Sequence, residues 1–293
     1  MNKKTKEKII YFILKGCAFL TILTTVGIIF VLLSESLSFF KDVSFLEFIS
    51  DSEWTPLFAN KHYGIAPLIS GTLLTTFIAL SVAVPIGLVI AIYLSEYATK
   101  KFKSIVKPIL EILAAVPTVV YGFFALMFVT PFLQQFLPSL SGFNALSAGI
   151  VMGIMIIPYV SSLSEDALSS VPNSLRQASY GLGASKFQTS FKVVFPAAAS
   201  GVTISVILAF SRAIGETMIV SIAAGQQPRL TANPFVPIET ITGYIVQVCM
   251  GDVPHGSIEY KTIFVAGLTL FFLTYILNNI SYFLKLKYQE QYD

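Results

Sequence analysis

Apolar positions along this chain come in long blocks rather than in short alternations. Ile9 to Leu33 carries a single charge, Lys15, which can snorkel to an interface. No Lys, Arg, Asp or Glu occurs from His62 to Ser95, nor from Ile112 to Ser164. A helix rises about 1.5 Å per residue through about 30 Å of hydrocarbon, so about 20 apolar residues make one crossing. The stretch 112–164 is too long for one, and the turn formers of Gln134–Ser139 and Ser141–Asn144 divide it. The pattern predicts an all-α polytopic membrane protein. Its six transmembrane helices fall at about 9–33, 67–94, 108–133, 145–163, 197–224 and 262–284, in a single domain over 1–293. Pro85 and Pro117 lie inside spans and predict kinks.

Composition agrees: 55% of the 293 residues are apolar and 12% are charged, about half the charge of an ordinary soluble domain. That excludes disorder, which needs low hydrophobicity and high charge. The two cysteines, Cys17 and Cys249, are too few and too far apart for a disulfide scaffold. Charge placement predicts direction. With the N-terminus inside, 14 of the 19 Lys and Arg fall in inner segments, four in outer ones, and Arg212 within a span. Both termini are therefore expected in the cytoplasm of a cell-membrane protein. The first apolar run is longer than the core of a signal peptide and no A-x-A-like site follows it, so it reads as a retained helix. A net charge of +3 gives no reason to expect nucleic acid.

The inner segment 164–196 carries the most information. Ser174 followed by Gln177 predicts a capping box and a short helix. Gly183 suits the residue just past its C-terminus, where φ is positive. Ser185 and Gln188 predict a second capping box, and Pro196 is expected to open the fifth span as its first helical residue. Gly181-Leu182-Gly183-Ala184-Ser185-Lys186 lacks the G-x-x-x-x-G-K-[ST] spacing of a phosphate loop and follows no predicted strand, so its glycines read as turn formers.

The spacing of Gln177-Ala178-Ser179, Gly183, Val193 and Phe195-Pro196 resembles the EAA loop of ABC-importer permeases. Gln177 stands for the family's glutamate, Ser179 for its second alanine, Val193 for isoleucine and Phe195 for leucine. The resemblance implies a coupling segment from Ser174 to Gly183, Arg176 included, that docks on a separate ATPase subunit. No Walker A motif is present, so the chain is not expected to be an enzyme. It carries no cofactor or metal of its own, and ATP and Mg belong to that partner.

Two charges interrupt the fifth span, Arg212 and Glu216. A lone charge at a span centre costs about 2.5–3.5 kcal/mol on insertion scales. An i,i+4 pair returns only about 0.2–0.5 kcal/mol, less in the Arg-first order. Gly201, Ser205, Ala209, Arg212, Glu216 and Ala223 would share one helix face, a small and polar stripe that suits a tight helix contact or a wet pathway. The charges favour the pathway, with Ser205, Arg212 and Glu216 lining it, because a guanidinium fork fits phosphate oxygens. His62 and His255 have no ligand-spaced partners and read as ordinary loop residues.

Arg212-Ala213-Ile214-Gly215-Glu216-Thr217-Met218 resembles the R-A-x-G-E-T-M stretch of PstC-type phosphate permeases, as do Tyr63–Thr72 and Tyr180–Ala184. The likeness runs from about residue 10 to 285. It implies a type I ABC-importer permease for inorganic phosphate that forms half of the pathway. Its implied partners are a homologous PstA-type sister permease, PstB-type ATPase subunits, a PstS-type extracytoplasmic phosphate-binding protein and membrane lipid. Permeases for molybdate or sulfate share the loop and remain the alternative. A membrane-embedded phosphotransferase would need a nucleophile or metal cluster that the sequence does not offer, and a phosphate sensor is compatible with transport. Eight acidic residues lie in the outer segments 34–66 and 225–261 against four basic ones, which suits delivery of an anion by a carrier.

Overall fold

The computed structural model describes residues 3–288, and among these the chain is helical, with isolated β-bridges and no strand. The helices are α1 (Lys3–Phe39), α2 (Phe45–Ser50), α3 (Ala66–Ile92), α4 (Lys100–Ala115), α5 (Thr118–Phe124) and α6 (Thr130–Gln134). After these come α7 (Ala145–Ser169), α8 (Asn173–Gly181), α9 (Lys186–Thr189), α10 (Phe195–Ala197) and α11 (Ala199–Ile214). The last three are α12 (Met218–Ala223), α13 (Ile241–Met250) and α14 (Ile258–Tyr288). The two ends of the chain, 1–2 and 289–293, lie outside the described residues, and with them the placement of the termini. Among the described residues, four helices are long and apolar enough to cross a membrane: α1, α3, α7 and α14. Two further crossings are bent helix pairs, which makes up to six.

The first bend differs from the kink expected at Pro117. Lys100–Ala115 and Thr118–Gln134 meet at 85°, so 108–115 leaves the crossing to which the apolar pattern assigned it. Pro117 offers no N–H, and its ring holds Val116 in an extended conformation (ψ 130°), which stops α4 at Ala115. No residue of α4 is buried. Pro85, by contrast, sits inside the continuous helix α3.

The second bend corrects the expectation for Pro196. Helical structure runs from Lys186 through Pro196 to Ala197, turns by 71°, and resumes at Ala199. A π-helical turn at Ser190–Val194 precedes Pro196, as another at Ala125–Val129 precedes Pro131. The wider turn moves aside the carbonyl that a proline ring would strike. The expected single fifth span is also two pieces: α11 ends at Ile214 and α12 begins at Met218.

In the loop between spans four and five, the first capping box does not form. Asn173 already opens α8, Pro172 occupies the N-cap, and no side chain caps the helix, so Ser174 sits inside the first turn. The second box forms in full: Ser185 Oγ accepts from the Gln188 amide at 3.3 Å, and Gln188 Oε1 accepts from the Ser185 amide at 2.8 Å. Gly183 has φ +80°. The Gly183 amide donates to Tyr180 O at 2.9 Å and the Ala184 amide to Ser179 O at 3.1 Å, the paired bonds of a Schellman turn.

The centre of the molecule is the seam between α3 and α7. A Cβ on Gly153 would lie 2.7 Å from the Ala79 carbonyl oxygen, and one on Gly149 would lie 2.7 Å from Ile78 Cβ. These glycines let the backbones approach, which supplies the packing that water cannot drive inside lipid. Met152, Met155, Ile156 and Val160 of α7 are buried around the seam. An aromatic cluster of Phe39, Phe48, Trp54, Tyr63 and Tyr244 closes the opposite end of the bundle. We expect Gly153→Val to destabilise the fold by about 1–3 kcal/mol through overpacking. Gly16→Ala, with nothing within 4 Å and a helical backbone, should not destabilise it. Thermal unfolding in detergent measures both, and equal midpoints would contradict the seam's role.

Candidate functional site

The break in the fifth span positions the two intramembrane charges. Arg212 lies in the last turn of α11. Glu216 lies in the non-helical link, so the pair does not share one continuous helix face as the spacing suggested. Glu216 is buried, and its Oε1 accepts from the Met218 amide at 3.2 Å and the Ile219 amide at 3.5 Å at the start of α12. Thr242 Oγ1 donates to the Glu216 carbonyl at 2.7 Å and ties the break to α13. Glu216 therefore repairs a broken span as well as facing Arg212. In a membrane each unpaired backbone group costs several kcal/mol, so a break persists only where such bonds are remade.

Arg212 is poorly satisfied. Nη1 is 3.6 Å from Glu216 Oε2, Nη2 is 4.0 Å from Met155 Sδ, and the buried Nε has no partner. The guanidinium lies 5.9 Å from the Tyr159 ring centroid, within cation–π range. Its side chain is 38% exposed, onto a cleft of about 820 Å³ between α4, α7 and α11. Tyr159, Ser162, Ser211, Lys107 and Glu165 line the same cleft. An arginine has five N–H donors, and the two terminal nitrogens are held here only by these long contacts, so the fork can turn to an anion in the cleft.

Ser205 is not in that cleft. It is fully buried where α11 meets α7, with its Oγ 2.6 Å from Ser164 Oγ. A Cβ on Gly201 would lie 2.5 Å from Ala167 Cβ, and Ala209 and Ala223 are also fully buried. The small-residue stripe is thus a close helix contact, and of its charged end Arg212 reaches open space while Glu216 is buried.

The loop residues divide into two faces. Gln177, Ala178, Gly183 and Pro196 are exposed, as is Ser174. Leu182 is 90% exposed, and Phe187 and Phe191 form an exposed aromatic pair 4.6 Å apart. Ser179 turns inward to Thr189, at 2.9 Å between hydroxyls, and Arg176 turns inward to Glu96.

The sequence reading missed Tyr159 and Met155, which sit in an uncharged span with nothing to single them out. It also passed over Glu165, the first charge after 112–164, which pairs with Lys103 at 3.0 Å and with Lys107. Glu239 is one of the eight acids of the expected outer segments. It is 2% exposed, its Oε1 has no partner, and burial raises its pKa to about 8. His62, read as an ordinary loop residue, pairs with Asp51 at 2.9 Å, and that hydrogen bond raises its pKa.

The loop, the broken span and the helix order define a membrane permease of the ABC-importer class. Residues 83–289 match the family of binding-protein-dependent transport system inner membrane components, and the chain belongs to that family. It is 36% identical to the probable ABC transporter permease protein YqgH of Bacillus subtilis (strain 168), covering 90% of this chain and 86% of that protein. It is 30% identical to the phosphate transport system permease protein PstC of Mesorhizobium japonicum, covering 82% and 78%. To the probable PstC of Methanocaldococcus jannaschii it is 33% identical, covering 78% and 77%. Among solved structures, a bacterial ABC transporter involved in alginate import superposes with a TM-score of 0.67 over 99% of this chain and 100% of that one, at 13% identity. An inward-facing MetNI methionine transporter superposes with a TM-score of 0.56 over 78% and 95%, at 18% identity. Those likenesses establish the type I permease fold.

Glu239 gives a pH test. Its folded pKa of about 8 exceeds the ordinary 4.5, so its contribution is fully present below pH 4.5 and is lost as pH rises through 8. Thermal unfolding in detergent should show stability falling over that window. Glu239→Gln should remove a slope of up to about 1.4 kcal/mol per pH unit. An unchanged slope in the variant would contradict a buried, unpaired carboxyl.

Proposed function

We propose that this chain is one of two permease subunits of an ATP-driven importer for inorganic phosphate, and that Arg212 contacts the anion in transit. The observation that carries this reading is the guanidinium of Arg212, inside a span, held only by long contacts and 38% exposed onto a cleft. Relatives that carry the name PstC, alike over most of the chain, support phosphate as the cargo. The 3.6 Å approach of Glu216 is long for a charge-assisted bond, so the carboxylate neutralises Arg212 loosely and leaves its fork available. Tyr159 offers the guanidinium a π face that an anion does not compete for.

The remaining parts follow from the same reading. A PstA-type sister permease completes the pathway over the open side of the cleft. PstB-type ATPase subunits, which hold ATP and Mg, dock on the exposed face of α8 with Tyr180, Leu182 and Phe187 as apolar contacts. A PstS-type binding protein delivers phosphate to the outer segments, and both termini lie in the cytoplasm. This orientation has a direct readout in a Cys17→Ser/Cys249→Ser background. A cysteine at Ser185 should react with an impermeant thiol reagent only from the cytoplasm, and one at Ser257 only from outside. Reaction of both from one side would remove the orientation and the docking surface together.

Uptake of labelled phosphate by the reconstituted complex tests the central assignment, with molybdate and sulfate as competitors. Arg212→Gln should lower uptake at least about 100-fold, in the range for loss of a charged contact made in transit. Arg212→Lys should recover part of it, since an ammonium keeps the charge and loses the fork. Glu216→Gln keeps an acceptor for the α12 amides, so it should assemble and transport slowly. An Arg212→Gln/Glu216→Gln variant that transports like the parent would exclude the permeation role. Inhibition by molybdate or sulfate stronger than by unlabelled phosphate would reassign the anion.

A further inference from the structure

Span two ends in a π-helical turn, Tyr93–Tyr97, and both short helices of the coupling loop are fastened to it. Arg176 of α8 reaches Glu96, which lies in that turn. Its Nη2 is 2.8 Å from Glu96 Oε1, and its Nε is 3.3 Å from each carboxylate oxygen. The same guanidinium donates to Leu168 O at 2.8 Å and to Val171 O, carbonyls in the last turn of α7 and just past its end. The Arg176 side chain is 14% exposed and that of Glu96 is 4% exposed. On the other loop helix, Lys186 stands 5.0 Å from the Tyr97 ring centroid. Ser95 Oγ donates to Glu96 Oε1 at 3.1 Å and fixes the carboxylate from its own turn.

This arrangement is more than a cap. A planar, delocalised guanidinium with donors spent in three directions admits few alternative geometries. It joins α8 to α7 and to span two at once, and α7 and α3 are already locked by their glycine seam. α7 also carries Met155 and Tyr159, which face Arg212 across the α7–α11 boundary. A displacement of α8 then bears on α7, and through α7 on the Met155 and Tyr159 side chains that hold Arg212.

We propose that Glu96 and Arg176 form the strut that transmits movement of the coupling loop to the pathway, with Glu96 as a positioning residue for transport. The proposal rests on the importer reading above. It makes α8, α7 and the end of span two one moving body, and it assigns to Arg176 an inward task rather than contact with the ATPase.

The test is the number of phosphate ions taken up per ATP hydrolysed by the full reconstituted complex. Glu96→Gln and Arg176→Gln should leave ATP hydrolysis running and lower that ratio about tenfold, as loss of a coupling energy does. A ratio equal to the parent's, in assembled complex, overturns the strut. If the parent complex takes up molybdate or sulfate instead, the phosphate assignment falls and the ratio is read with that anion. A covalent replacement decides the matter where a single variant fails to assemble. Glu96→Cys/Arg176→Cys, in the Cys17→Ser/Cys249→Ser background, should be poorly coupled as free thiols. Bridging the two thiols with a short bis-methanethiosulfonate reagent should restore most of the ratio, because the two sites are meant to move together. A bridged complex coupled no better than the unbridged one overturns the proposal, since a merely structural ion pair gives no reason for rescue after folding.

Discussion

The close approach of α3 and α7 sets the position of everything else. Gly149 and Gly153 bring α7 within backbone distance of α3, and Gly87 of α3 receives Val160 of α7 in the same way. With one face committed to that seam, α7 presents its other faces to α11, through Ser164, and to Arg212, through Met155 and Tyr159. The cleft beside Arg212 lies between α7, α11 and α4, which departs at Pro117 and meets α7 through Lys103 and Lys107 on Glu165.

Breaks in helices do much of the functional placing. A straight fifth span would have put Glu216 one turn beyond Arg212 at the usual helical spacing. The break at 215–217 instead buries Glu216 under α12, where two amides and the Thr242 hydroxyl hold it. Arg212 keeps a counter-charge without a tight bond. In a low-dielectric bundle this is a compromise: a fully paired arginine would be inert, and a bare one would be too costly. The π-turns before Pro131 and Pro196 serve the same economy of backbone bonds, and the one at Tyr93–Tyr97 turns Glu96 toward the loop.

Much of this was legible from residues. Uncharged stretches mark crossings because charge in hydrocarbon is expensive, and Gly183 and Ser185/Gln188 mark local turns because their chemistry is complete within a few residues. The same locality explains the failures. Ser174 with Gln177 satisfies the capping spacing, yet Pro172 starts the helix first. Ser205 has the polarity of a pathway residue, and only the partner helix reveals that its hydroxyl is spent on Ser164. Tyr159, Glu96 and the unpartnered state of Glu239 depend on contacts between distant segments, which periodicity does not carry.

Import by way of Arg212 requires an anion to occupy the cleft beside it. Ser162 lines that cleft and takes no part in holding Arg212, so a cysteine there reports on occupancy. The measurement is the rate at which Ser162→Cys, in the Cys17→Ser/Cys249→Ser background of an assembled and transporting complex, reacts with a small charged methanethiosulfonate during turnover. Phosphate should slow that rate, and Arg212→Gln should abolish the protection. Equal rates with and without phosphate, in a complex that still imports it, would contradict the account.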